Sequence, residues 1–319
     1  MKNLFLICLL FFTLTHGAAQ EQPSYLTCNI GYHQLGNQLY AVSTALVTAW
    51  EHGAIPVFPM LTYKEDLNVP LNRRKIFFRL NTETPQNISW YHYLVPCGFD
   101  KQGHPYHQKV EYQPNIYLVG GYFYSSYYEP FKDQLIQTYA PSDEEEAIIQ
   151  EKYGDLLKTP NLVAVHVRAF NPHTHYFVGL NYIKKAMDLF PSDYTFAVFS
   201  CRINWAKKHL FEHKPNIVFI EGNDHVRDFF LINKCKHHII SNSSYSFWAA
   251  YLKNDPDQIV IAPDINIPSV DRCAIEMYPK SWNILHVEIE DPHYDITDYP
   301  TTSIQGEEPF SPKKPRKHP

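Results

Sequence analysis

NLVAVHVRAFNPH, Asn161 to His173, reads as a strand made for the interior that turns polar at its end. Leu162 to Val165 and Val167 are apolar, the composition of a strand covered on both faces. His166 and Arg168 then appear where the strand meets its loop. Asn171-Pro172 stops the extension, because proline lacks an N–H and restricts the residue before it. The same rhythm continues downstream. YTFAVFS (194–200), NIVFIEG (216–222), HHIIS (237–241) and QIVIAP (258–263) alternate with helical stretches near 179–190, 203–211, 224–235 and 244–254. Apolar strands separated by short helices predict a parallel sheet with helices on both faces. Ligands of such sheets bind beyond the C-terminal ends of the strands.

That rule puts two polar clusters on one rim. The first is His166 with Arg168. The second is SNSSYS, Ser241 to Ser246, between HHIIS and the helix SYSFWAAYLKN. Hydroxyls and free backbone N–H groups at a helix start form an anion site that suits phosphate; read more plainly, the same residues cap the helix. Arg168 offers a planar, permanently charged donor fork for a diphosphate, or else a surface ion pair. His166 is either a ligand contact or a core histidine satisfied by its neighbours.

Working outward, residues 25–139 have a mixed pattern. YLTCNI leads through a glycine turn into the helix GNQLYAVSTALVTAWEHG, where Leu39, Val42, Leu46 and Ala49 recur at helical spacing and Gly53 marks the stop. AIPVF and IYLVGGYFYS read as strands, and residues 61–115 as loops and insertions. PSDEEEA opens a helix in which Ser142 and Glu145 fit a capping box. At the N-terminus, Lys2, an apolar run from Leu4 and the small residues Gly17 to Ala19 predict a secretory signal peptide over 1–19, or a short membrane anchor. The stretch 291–319, ending in the basic PFSPKKPRKHP, reads as a flexible tail. With 319 residues, two domains are expected, over 24–154 and 155–290.

The totals and motifs also exclude. A net charge of -5 gives no general attraction to nucleic acid, so an anion site must be local. GxxxxGK[ST] and GxGxxG are absent. Asp255-Pro256-Asp257 precedes its strand and therefore lies on the opposite rim, as a turn. His173-Thr174-His175 and His237-His238 lack a third ligand at recognisable spacing, and no CxxC occurs, so no metal site is expected. Beyond Cys8 the cysteines are Cys28, Cys97, Cys201, Cys235 and Cys273, for which one or two disulfides are expected in an oxidising compartment. Of the two sequons, Asn87 is expected to carry glycan and Asn242 to be bare.

Over roughly residues 25 to 287 the chain resembles the α-1,2-fucosyltransferase family, glycosyltransferase family 11. HQLGNQLYAVSTAL resembles that family's G-R-L-G-N-Q-M segment, GYFYSSYY its G-Y-F-Q-S stretch, and VAVHVRAFNP its H-x-R-R-x-D motif. DFFLINKCKHHIISNSSYSFWAAYL resembles, almost position for position, its D-L-x-L-M-S-x-C-K-H-x-I-x-x-N-S-S-F-S-W-W-A-A-W-L segment. The resemblance implies an α/β fold of the GT-B kind: two facing Rossmann-like domains, with a parallel sheet in the C-terminal donor half. It implies transfer of L-fucose from GDP-fucose to a glycan acceptor, at O2 of galactose, without a metal or other cofactor. Arg168 matches the motif arginine that meets the donor diphosphate, and His166 the histidine that holds the GDP. Ser243, Ser244 and Ser246 match the residues that close over the pyrophosphate. Gly36 and Asn37 match the pair facing the reaction centre from the other domain, and His33 beside them is the nearest acid–base candidate. A lumenal, Golgi-like or secreted location follows from the N-terminus. The chain departs from the family pattern at Gln34, Ala169, Asn171 and Cys201-Arg202, each in a segment that faces the donor. Those departures keep two alternatives open, a binding protein that keeps the fold without turnover and a transferase for another nucleotide sugar.

Overall fold

The computed structural model describes residues 23–30, 34–62, 69–99, 105–168, 177–265 and 277–288. In the first half, β1 (Tyr25–Cys28) runs into the long helix α1 (Leu35–His52), which ends at Gly53 with φ 65°, the left-handed turn a glycine takes without strain. There follow β2 (Ile55–Pro56), α2 (Val69–Lys75), β3 (Tyr91–Leu94), the hairpin β4 (Cys97–Phe99) and β5 (Pro105–His107), and β6 (Ile116–Val119). Four of these strands form a parallel sheet in the order β2-β1-β6-β3. The stretch 61–115 thus holds ordered elements where loops were expected. β3 is an edge strand with Tyr91 and Leu94 exposed, so it carries no alternation of apolar and polar residues.

α3 (Ser125–Tyr128), α4 (Lys132–Tyr139) and α5 (Asp143–Leu157) lead across to the second half. Ser142 caps α5 by accepting from the Glu145 N–H at 3.2 Å. Only half of the capping box is present, however. The Glu145 side chain is buried and pairs with Arg227 at 2.5 Å and with Lys75 at 2.9 Å, because two cations outcompete a single backbone N–H for a buried carboxylate.

The second half follows the rhythm of its sequence closely. β7 (Leu162–Val167), α6 (Leu180–Asp188), β8 (Thr195–Ser200), α7 (Ile203–Leu210), β9 (Ile217–Phe219), α8 (His225–Lys234), β10 (His237–Ile239), α9 (Ser244–Tyr251), β11 (Val260–Pro263) and β12 (Asn283–Leu285) alternate along the chain. All six strands are parallel, in the order β12-β11-β10-β7-β8-β9. β12 was not foreseen, being short and partly exposed. From β7 the chain builds outward through β8 and β9, then returns to add β10 on the opposite side. β7 and β10 are therefore the switch point at which such sheets open a crevice.

α1 joins the two sheets. Every residue from Leu35 to Ala49 is buried except Asn37, where the spacing of Leu39, Val42, Leu46 and Ala49 predicted one buried face. Polar positions of α1 enter the interior by bonding to tyrosines: Ser43 with Tyr139 at 2.8 Å, Thr44 with Tyr128 at 3.0 Å, and Thr48 with Tyr127 at 2.8 Å. On its other side α1 packs along α9, with the Tyr40 ring 5.4 Å from Phe247 and 5.2 Å from Trp248. One buried cluster runs from Leu26 and Leu39 through Trp248 to Ala164, so α1 and α9 form the seam between the sheets. A second cluster, with Val163, Val165 and Trp205, fills the far face of the larger sheet. The architecture is α/β of the GT-B kind, with two parallel sheets facing across this seam.

Cys28, Cys201 and Cys235 form no disulfide, so the disulfide expectation does not hold for them. Cys28 and Cys235 are buried and behave as small apolar residues. Among the described residues no helix is long and apolar enough to cross a membrane. The segments 1–19 and 291–319, with Cys273, lie outside the described residues.

Candidate functional site

The rim cluster forms at the switch point. His166 is the penultimate residue of β7, and its Nδ1 lies 2.8 Å from the Ser241 hydroxyl, just past β10. Burial, with the nearby Arg168 charge adding to it, pushes the His166 imidazole down to about 3. The ring is therefore neutral at physiological pH and can both donate and accept. Arg168, the first residue past β7, donates from Nη1 to the Ser243 hydroxyl at 3.1 Å, and burial lowers its affinity for its proton. A guanidinium held out of bulk water next to hydroxyls is a strong anion ligand.

The serine cluster does not serve as a helix cap. Ser243 occupies the N-cap of α9 without a side-chain capping bond, since its hydroxyl is engaged by Arg168. The Ser244 hydroxyl donates to Asn37 Oδ1 at 2.8 Å. Ser246 differs from the other two. It is fully buried, with its hydroxyl turned back to the Ser243 carbonyl at 3.3 Å, so it shapes the turn and presents no group to the rim. Ser246, expected to close over a ligand, turns its side chain toward the core at this point of α9.

Across the seam, the N-terminus of α1 meets that of α9. Gly36 lies so near that a Cβ built on it would stand 2.4 Å from the Tyr245 nitrogen and 2.6 Å from the Ser244 carbonyl carbon. Glycine is required there because both atoms are backbone and cannot rotate aside. Gln34 precedes α1 as an N-cap without a side-chain capping bond. Two helix N-termini, each with first-turn N–H groups lacking intrahelical acceptors, thus converge beside a guanidinium. This arrangement can hold an anion and stabilise negative charge that develops on it.

Other sequence candidates fall elsewhere. Asp255 and Asp257 form a turn in which the Asp257 N–H donates to Asp255 Oδ1 at 3.0 Å, at the N-terminal end of the sheet. His238 is a core residue whose Nε2 lies 2.8 Å from the Ile232 carbonyl, and burial pushes it down to about 3. No group of three or more His, Cys, Asp or Glu side chains among the described residues gathers as a metal site. His33, Ala169, Asn171, His173 and His175 lie outside the described residues. A shallow hollow of about 520 Å³, lined by Lys207, Lys208, Phe211, Glu212 and Phe219, opens at the β9 edge. It sits at the far end of α7 from the rim and contains none of the rim residues.

Sequence reasoning passed over Gln38, Asn72 and His225, which the structure links beneath the rim. Asn72 donates to Gln38 Oε1 at 2.7 Å, and His225 Nε2 lies 2.6 Å from Asn72 Oδ1. Gln38 carried a signal, as the third residue of the G-N-Q motif; Asn72 and His225 carried none.

Comparison with known proteins accords with this arrangement. The model of glycosyl transferase family 11 matches residues 32–286. An α-1,2-colitosyltransferase of Escherichia coli is 26% identical over 208 residues, covering 59% of this chain and 70% of that protein. The galactoside α-(1,2)-fucosyltransferase 2 of Rattus norvegicus is 23% identical over 258 residues, covering 74% of this chain and 69% of the relative. Among solved structures, NodZ α-1,6-fucosyltransferase co-crystallised with GDP superposes with a TM-score of 0.50 at 12% identity, covering 72% of this chain and 92% of that one, a likeness of fold. With its matched region spanning both sheets and the rim between them, the chain belongs to glycosyl transferase family 11.

Proposed function

We propose that this protein transfers L-fucose from GDP-fucose to a hydroxyl of a glycan acceptor, O2 of a terminal galactose, with inversion at the anomeric carbon. One observation carries the reading: Arg168, His166 and the Ser241–Ser244 turn converge at the switch point, against the Gly36–Asn37 end of α1. The acceptor oxygen attacks the fucose anomeric carbon, the bond to the diphosphate oxygen breaks on the opposite side, and GDP departs carrying that electron pair. The acceptor proton leaves to solvent or to a base. Negative charge grows on the departing phosphate, where Arg168 and the first-turn N–H groups of α9 stabilise it. Fixed cations and N–H donors can do this without a metal. Neutral His166 holds the Ser241 hydroxyl in place beside that charge.

On this reading residues 24–154 form the acceptor-side domain and 155–290 the donor domain. Residues 1–19 direct the chain into the secretory pathway, where it works in a lumen supplied with GDP-fucose, held at the membrane or released. The GDP present in the NodZ crystals and the fucosyltransferase names among the relatives support the nucleotide and the sugar. The colitosyltransferase relative supports a second reading, in which the transferred unit is another deoxy sugar.

The test is incubation with GDP-fucose and a panel of galactosides, read by mass spectrometry and by GDP release, with other nucleotide diphosphate sugars in parallel. A fucosylated galactoside is expected. Product from a different donor alone would move the assignment to the second reading. GDP binding without product from any donor would leave a binding protein of this fold.

A further inference from the structure

A closed circuit of contacts passes through four helices, and only one side of it lies in the rim. Asn37 on α1 accepts from Ser244 on α9 at 2.8 Å, while Gly36 presses against the Tyr245 nitrogen. The Tyr245 hydroxyl donates to the His225 carbonyl on α8 at 2.7 Å, and its ring lies 5.4 Å from that of His166. His225 Nε2 meets Asn72 Oδ1 on α2 at 2.6 Å. Asn72 Nδ2 donates to Gln38 Oε1 at 2.7 Å, which returns the circuit to α1 one residue beyond Asn37. The bonds fix one another. With the Asn72 amide donating to the Gln38 carbonyl, its oxygen must face His225, and His225 must carry a proton on Nε2.

Asn72 and Gln38 are fully buried, so a partner lost from either is not replaced by water. α2 is also anchored independently of this circuit. Lys75, one turn beyond Asn72, pairs with Asp224 on α8 at 2.5 Å and with Glu145 on α5 at 2.9 Å. The short helix is thus fastened to α8 and α5 by its C-terminal end and reaches α1 through Asn72. That is the geometry of a spacer between two bodies.

We propose that Asn72 is a positioning residue for the cleft: through Gln38 and His225 it sets the separation at which the first turn of α1 meets the first turn of α9. This rests on the fucosyltransferase reading only for its consequence in turnover; the placement of the two turns is a separate, directly measurable property. A positional error of about 1 Å at such a junction costs on the order of 100-fold in rate when reacting groups come from both sides.

The test uses the full chain and the variants Asn72→Leu, which can neither donate nor accept, and His225→Phe, which cuts the same circuit at a half-buried position. Tyr139→Phe is the control, because it removes a comparable buried bond from α1, that to Ser43, outside the circuit. Both circuit variants are expected to speed amide exchange at residues 34–40 and 243–247 by about ten-fold or more. They are also expected to lower kcat with GDP-fucose and acceptor by at least about ten-fold, while the GDP Kd stays within about three-fold because Arg168 and Ser243 are untouched. Tyr139→Phe is expected to lower the melting temperature without either signature. Exchange at the two turns unchanged in both circuit variants, or changed equally in Tyr139→Phe, overturns the proposal. Exchange needs no donor sugar, so the proposal is decided even if the wild-type protein transfers no fucose.

Discussion

Gly36→Ala is the sharpest perturbation the seam offers. The added Cβ would lie 2.4 Å from the Tyr245 nitrogen, 2.5 Å from Ser244 Oγ and 2.6 Å from the Ser244 carbonyl carbon, whereas ordinary contact begins at 3.4 Å. The hydroxyl can rotate away, but the two backbone atoms cannot. Relief needs the difference between 3.4 and 2.4, about 1 Å, as a separation of the two helix starts. Opening the seam by that much stretches the 2.8 Å bond between Ser244 and Asn37 to about 3.8 Å, past the range of a hydrogen bond. Overpacking of this kind costs ~1–3 kcal/mol, and the lost bond adds ~1 kcal/mol. At about 2 °C per kcal/mol for a chain of this size, the melting temperature falls by roughly 4–8 °C. The effect on turnover is larger, about 100-fold, because the groups carried by the first turns of α1 and α9 move apart. The assay is GDP release from GDP-fucose with acceptor, alongside thermal unfolding and GDP titration. Gly154→Ala is the matched control: within the last turn of α5, with Gln150 Oε1 at 3.5 Å from the new Cβ, it is expected to stabilise by ~0.5–1 kcal/mol. Near-wild-type stability and turnover in Gly36→Ala would refute the argument that glycine is required by close approach.

Arg168→Ala is expected to weaken GDP by at least ~10-fold, as calorimetry reads it, since a charge-assisted bond to phosphate contributes ~1.5–3 kcal/mol; Arg168→Lys keeps the charge but loses the fork, and recovers only part of that. Asp228 titrates at about 6 because burial raises its carboxyl from 3.8. A raised carboxyl contributes stability below its unfolded pKa and loses it as pH rises through about 6, by up to about 3 kcal/mol for the 2.2 units between 3.8 and 6. Asp228→Asn should therefore gain on wild type in urea unfolding between pH 4 and 8, and equal denaturation midpoints for the two at every pH would show that the site carries no such cost. In a eukaryotic secretory host, glycosidase digestion and mass spectrometry are expected to find glycan lost in Asn87→Gln and unchanged in Asn242→Gln, because Asn87 is exposed and Asn242 is buried in the rim turn.

The larger sheet was legible because each of its central strands is covered on both faces, so burial wrote continuous apolar runs that any reading of period detects. His166, Arg168 and the Ser241–Ser244 turn followed from topology alone, once the strands were placed. What the sequence hid was set by contacts between distant segments. Glu145 looks like the second half of a cap until Lys75 and Arg227 are beside it. α1 looks amphipathic because Ser43, Thr44 and Thr48 read as a polar face, and only the tyrosines that receive them make that face an interior one. Ser246 sits within a run of similar residues, and helical rotation, not residue type, turns it from the rim. Asn72 lies on a helix too short to show a period, so nothing local distinguishes it from the loops around it.

The departures from the family pattern also look different once the strands are placed. Where the pattern has a second arginine after Arg168, this chain has Ala169; where it has acids after the second strand, this chain has Cys201 and Arg202. β7 and β8 are in parallel register with Val167 opposite Ser200, so positions 168 and 201 leave the sheet side by side and Arg202 follows at once. A cation missing from one strand end has a counterpart at the next, and the pattern's acids at 171, 201 and 202 are replaced by Asn171, Cys201 and Arg202. Over these positions the pattern's two arginines at 34 and 169 are lost, one, Arg202, is gained and three acids are gone, so the formal charge rises by two. Each carboxylate removed lowers the repulsion that a doubly charged ligand meets in a partly buried crevice. The altered positions therefore leave this rim more positive than the family pattern makes it, in the direction that favours an anion.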